Sequence, residues 1–134
     1  MGLAERRAIA AYQEKQFPEV KKNIDAAAGF PLDLEIRWET LADPNAVDVY
    51  ADCFQKVYFT PLINALRAVA SDDMGKKALK EGLKKVVIDG SEGYGPSNFK
   101  LESGVLTLQH QPYTNVDDVT DRTKGIQKLL EESL

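Results

Sequence analysis

An α+β domain is predicted for residues 1–134: a small antiparallel sheet of about four strands with helices packed on one face, in the order α-α-β-α-α-α-β-β-β-α. Three observations carry it. Residues 32–40 alternate strictly, with Leu32, Leu34, Ile36 and Trp38 interleaved with Asp33, Glu35, Arg37 and Glu39. That period of two marks a strand with one wet, charged face. Ser103-Gly104 sits between two short apolar-polar runs, the signature of a two-residue hairpin. Finally, helical and strand segments come in runs and do not alternate as βαβ units, which favours α+β over α/β.

The elements follow in order. Residues 3–16 read as a weakly amphipathic helix rich in alanine and charge. Pro18 suits the start of a second helix, with Val20, Ile24 and Ala27 or Ala28 on one face. Gly29 stands at its C′ position, and Phe30-Pro31 stops it. The strand at 32–40 comes next. Asp43-Pro44 joins an N-cap to a proline at N1, opening a helix with Val49, Tyr50, Cys53, Phe54 and Val57 on an apolar stripe. Thr60-Pro61 repeats the signal, so a break and a new helix with Leu62, Ile63, Leu66 and Val69 are expected. Ser71-Asp72-Asp73 begins a third helix, with acids at the positive end of its dipole and Leu79, Leu83 and Val86 as its apolar positions.

Val86-Val87-Ile88 is short and β-branched, and reads as a strand. Residues 89–98 hold three glycines and a proline and read as a loop. In the hairpin that follows, the turn pairs Leu101 with Leu106 and Phe99 with Leu108. Leu34, Ile36, Trp38, Phe99, Leu101, Leu106 and Leu108 then form the buried face, under the Cys53 and Leu66 helices. Asn115 or Asp118 caps a final helix, with Val119, Ile126, Leu129 and Leu130 inward.

Composition narrows the chemistry. The chain has 134 residues, 43% hydrophobic and 28% charged, as ordinary globular proteins do. The net charge is −4, spread evenly, with no basic or acidic tail. One cysteine excludes an internal disulfide, and one cysteine with one histidine excludes the common zinc frameworks. No apolar run reaches the 18 or so residues of a membrane span. The N-terminus is charged at once, Arg6 stands where a myristoylation motif needs Ser or Thr, and no Asn-x-Ser/Thr sequon occurs. A cytoplasmic setting without a membrane partner is expected.

Candidate motifs fall one by one to structural readings. Gly93-Tyr94-Gly95-Pro96-Ser97-Asn98 lacks the third glycine of a dinucleotide fingerprint, and a strand follows it where a helix is required. Gly90-Ser91-Glu92-Gly93 fails the spacing of a nucleophile elbow. Asp89 opens no calcium loop, because its third and fifth positions carry no oxygen ligand of the right type. The acids Asp33, Glu35 and Glu39 fit a solvated sheet face, and Asp117, Asp118 and Asp121 fit a helix start. Cys53 lies on an apolar stripe, which argues against a Cys53–His110 nucleophilic pair. The row Lys76, Lys80, Lys84, flanked by Lys77 and Lys85, lacks the arginines and aromatics of nucleic-acid sites and reads as a solvated face.

His110 continues the inward face Leu106–Leu108–His110. A histidine bonded to a backbone carbonyl is the ordinary reading; the alternative points it into a cleft rimmed by the 89–98 loop. A ligand site there would use Tyr94, Ser97, His110 and Tyr113. No catalytic residue, metal site or cofactor is assigned. The function expected is a non-catalytic protein-interaction, adaptor or immunity-like module, with a protein partner or self-association. Nucleic acid is not expected. The alternative is a small-molecule-binding or hydrolytic protein with its site between the 89–98 loop and His110.

Overall fold

The computed structural model describes residues 2–134. Helix α1 (Leu3–Lys15) and helix α2 (Phe17–Ala28) precede strand β1 (Asp33–Ile36). A 3-10 turn, Trp38–Thr40, and a second, Pro44–Val49, lead into α3 (Tyr50–Phe54), a π-helical turn (Gln55–Phe59) and α4 (Thr60–Val69). Helix α5 (Asp73–Gly82), β2 (Lys85–Asp89), a 3-10 turn (Pro96–Asn98), β3 (Phe99–Glu102), β4 (Val105–Gln109) and α6 (Val119–Ser133) complete the order. The α+β class and the four strands agree with the sequence reading.

The strand directions do not. The sheet is mixed, in the order β1-β2-β4-β3. β1 runs parallel to β2, β2 runs parallel to β4, and only β3 and β4 pair antiparallel. The cause is connection length: parallel neighbours need a crossover of a dozen or more residues. Helices α3 to α5 supply one between β1 and β2. After β2 the 89–98 loop carries the chain back, so β3 runs in reverse on the outer edge. The hairpin then returns β4 into the gap beside β2. Its register is the expected one, Phe99 opposite Leu108 and Leu101 opposite Leu106. Ser103 and Gly104 both hold positive φ, 52° and 80°, which gives the turn the twist a tight hairpin needs.

One face of the sheet enters a continuous core. Val86, Ile88, Leu106 and Leu108 are fully buried, with Phe99 nearly so, and they share a cluster with Ile24, Phe54, Leu62, Leu66, Ile126 and Leu130 from the helices. Val87, central and buried, lies outside that cluster, as its opposite pleat requires. On the other face Glu35 bridges Lys85 at 2.7 Å and Arg37 at 3.3 Å, while Arg37 holds Asp89 at 2.8 Å.

Three further expectations are corrected. The strand at 32–40 ends at Ile36. The Thr40 hydroxyl and amide both donate to the Arg37 carbonyl, at 2.6 and 2.9 Å, so turn chemistry overrides the alternation that continues through Trp38. The Gly90 amide donates to Thr40 Oγ1 at 2.9 Å and ties the turn to the end of β2. Second, the chain does not break at Thr60-Pro61. Pro61 has no N–H for the Val57 carbonyl and its ring crowds that turn. The helix widens instead, and the Thr60 amide bonds to the Gln55 carbonyl across the π turn. Third, Val49 is 45% exposed, because Pro44–Val49 forms a 3-10 turn whose periodicity differs from the α-helical stripe assumed for it.

Trp38 therefore belongs to an aromatic cluster and not to the sheet. It is half-buried, with its ring edge-on to Phe17 at 5.3 Å and tilted against Tyr12 at 5.8 Å. Trp38→Ala is expected to cost about 2–3 kcal/mol in denaturant melts, below the ~3–5 kcal/mol of fully buried aromatics. A stability-neutral result would remove Trp38 from the core.

Candidate functional site

The site is built where β4 ends. The β4 alternation carries His110 inward beyond Leu106 and Leu108, and the ring is completely buried. Its main chain is fixed on both sides: the amide donates to the Asp89 carbonyl at 3.0 Å, and the Tyr58 hydroxyl donates to its carbonyl. The chain then turns through 111–118 into α6. Four residues into that helix stands Arg122, at 1% exposure.

Arg122 is the functional-grade residue that the sequence reading missed. Arg122, Ile126 and Leu130 are spaced i, i+4, i+8 on one helix face, and all three are buried. That spacing was the available signal, since it places an arginine in line with two core residues. Among the described residues no carboxylate pairs with the guanidinium. It donates to the carbonyls of Thr114 at 2.9 Å, Asn115 at 2.6 Å and Val116 at 3.2 Å. Its Nε and Nη2 lie 3.2 and 3.1 Å from His110 Nε2.

The donor inventory settles the histidine tautomer. A guanidinium can only donate, so Nε2 must present its lone pair to Arg122. The ring proton is then on Nδ1, which donates to the Gln111 carbonyl at 2.6 Å. His110 is thus neutral. Burial, with the Arg122 charge as a smaller cause, moves its pKa below the ordinary 6.5. Burial likewise lowers the pKa of Arg122 and raises those of Tyr58 and Tyr113.

The four candidate ligand residues are differently placed. His110 is enclosed with both ring nitrogens engaged. Tyr113 is half-buried and its hydroxyl donates to the Leu41 carbonyl. Tyr94 is 67% exposed, and Ser97 is exposed. The main chain of Tyr94, not its side chain, lies near the imidazole. Cavities of about 400, 290, 360 and 240 Å³ open elsewhere on the surface, and none is lined by these four residues.

The 290 Å³ cavity lies between the end of α4, the start of α5 and the end of α6. Val69 and Leu130 contribute to its walls, and Met74 and Leu134 stand on it with 82% and 40% of their surfaces exposed. Asp72 and Glu131 also line it. Lys76, Lys77 and Lys80 on α5 and Lys84 just beyond it are exposed, whereas Lys85 turns to Glu35. Among the described residues, no three His, Cys, Asp or Glu side chains gather as a metal site would require, and no helix is long and apolar enough to cross a membrane.

Cys53 is 6% exposed, and burial raises its pKa. Its native reaction with a thiol reagent is expected to be on the order of a hundredfold slower than in urea, because the thiolate is both scarce and covered. Equal rates in the two states would show the thiol to be open and activated. Searches for a matching protein family, a characterised relative or a similar solved structure all find none.

Proposed function

We propose that this chain is a non-catalytic protein-interaction module of adaptor or immunity-like type, acting in the cytoplasm. The groove bounded by Met74 and Leu134 is its contact surface. The observation that carries this reading is the exposure of Met74, 82%, directly over an apolar floor. A large apolar side chain held in water beside a groove is the usual anchor of a protein contact. Asp72 and Glu131 add negative charge to the same groove and favour a partner segment that joins an apolar side chain to a basic one. Catalysis draws no comparable support. The buried groups His110, Arg122 and Tyr58 and the half-buried Tyr113 are committed to internal hydrogen bonds, and none of the four cavities described above is lined by them. The small-molecule alternative at His110 meets the same objection.

The test places a photo-crosslinking residue at Met74 in cells. A discrete protein adduct is expected, and adding Leu134→Glu should lower its yield about tenfold, the effect of a lost contact residue. No adduct, or the same adducts from a photo-crosslinking residue at exposed Lys22 on α2, would overturn the reading.

A further inference from the structure

We propose that His110 and Arg122 form an acid-sensitive latch: protonation of the ring at Nε2 breaks its contact with Arg122 and frees residues 111–118 from the start of α6. The proposal is independent of the groove at the other end of α6.

The geometry leaves the incoming proton no other place. Nδ1 already carries one and spends it on the Gln111 carbonyl. Nε2 accepts from Arg122 Nε, with Nη2 also 3.1 Å away. A proton there turns an acceptor into a donor that faces donors, and sets two cations in contact inside the protein. The surrounding groups give little relief. From α6 the charges are Arg122 itself and Asp118, whose side chain is exposed and only partly opposes the repulsion. From the π turn comes Tyr58, a neutral phenol already donating to the His110 carbonyl. From β2, Asp89 offers its carbonyl to the His110 amide while its carboxylate is held by Arg37. From the 89–98 loop comes the backbone of Tyr94, which, like the Gln111 carbonyl, favours the protonated ring and offsets part of the repulsion, and from β3 the uncharged Phe99 ring, 6.3 Å away. Nearby Asp117 is paired with Lys56 at 2.8 Å.

What yields is the 111–118 segment. Its carbonyls at Thr114, Asn115 and Val116 are held by the same guanidinium, so the ring and the segment share one anchor. Asn115 holds a positive φ of 51°, in the left-handed region that asparagine tolerates at turns. The sign follows from the depressed ring pKa. The closed form binds fewer protons than the open form, so the latch is whole above the ordinary value of 6.5 and weakens as pH falls through the lower folded value. Asp89, held low by hydrogen bonds from Ser91 and then by Arg37, and Asp117, held low by Lys56, titrate in a more acidic range than the histidine.

Amide hydrogen exchange, corrected for the intrinsic effect of pH, reads the opening. Protection of residues 111–118 should fall roughly tenfold for each pH unit below 6.5, while β2 and β4 stay protected. His110→Gln keeps an acceptor for Arg122 without a titrating group and should abolish that slope. Because His110 is the only histidine, its ring resonances in the unmodified chain are unambiguous, and they should titrate below 6.5 together with the Arg122 Nε–H signal. Protection that does not change down to pH 5, the same slope in His110→Gln, or a ring that titrates at its ordinary value with Arg122 unmoved would each overturn the latch.

Discussion

Arg122→Ala is expected to destabilise the protein by about 4–5 kcal/mol, the range in which breaking a buried charged network falls. The side chain holds three backbone carbonyls and an imidazole lone pair at full burial. Each buried acceptor stripped of its donor costs ~1–3 kcal/mol unless water reaches it. The alanine also leaves a void where the guanidinium and its stem lay. With native stabilities of about 5–15 kcal/mol for a domain, the variant would be marginal. Arg122→Lys separates the charge from the fork: a single ammonium carries three donors and cannot reach all four acceptors, so about half of the loss should return. Urea melts of both variants check this. An alanine variant within about 1 kcal/mol of the parent would show that the 111–118 segment is held by other contacts. Arg122→Lys matching the parent would show that charge, not fork geometry, does the holding.

That arginine also marks the boundary of what could be read from the sequence. Elements with local causes were legible: Gly29 ends α2 in the left-handed conformation, the Ser71-Asp72-Asp73 segment opens α5, although Asp72 and not Ser71 is its cap, and Ser103-Gly104 fixes the hairpin register. Each depends on residues a few positions apart. What was not legible depends on distant partners. The parallel pairing of β1 with β2 joins residues about fifty positions apart, and alternation along 32–40 is silent on direction. The end of β1 at Ile36 is set partly by Gly90 bonding to Thr40. Continuity through Pro61 needed the π turn, because a proline preceded by threonine reads equally well as a new start. At the candidate site His110 was found inward, as its alternation required. Its partner was not, because a buried arginine that is paired with no carboxylate and is satisfied by carbonyls leaves no charge pattern in the chain. Cluster-forming carbonyls have no letter in a sequence.

Gly75→Ala carries the second large effect, expected at about 3 kcal/mol or more, at the severe end of overpacking. The usual argument runs the other way, since alanine in a helix gains ~1 kcal/mol over glycine. Position 75 is in the first turn of α5, but its neighbour is not its own helix. A β-carbon built there overlaps the Val69 carbonyl oxygen at the end of α4 and meets Asp72 Oδ1 at 3.2 Å. Neither obstacle is the free end of a flexible side chain. The Val69 carbonyl is backbone, on a helix whose Leu62, Ala65 and Leu66 are fully buried, and Asp72 Oδ1 is already accepting from the Gly75 amide at 2.7 Å. The methyl therefore forces α5 away from α4, loosens the Asp72 cap, which is worth ~1 kcal/mol itself, and opens the groove under Met74. Gly95→Ala is the control, because nothing lies within 4 Å of a β-carbon there and its backbone is extended. Denaturant melts should separate the two variants by about 3 kcal/mol. If Gly75→Ala melts with Gly95→Ala, the α4–α5 junction has slack. Crosslinking from position 74 would then survive the substitution, whereas a displaced α5 should lose the adduct even below the melting transition.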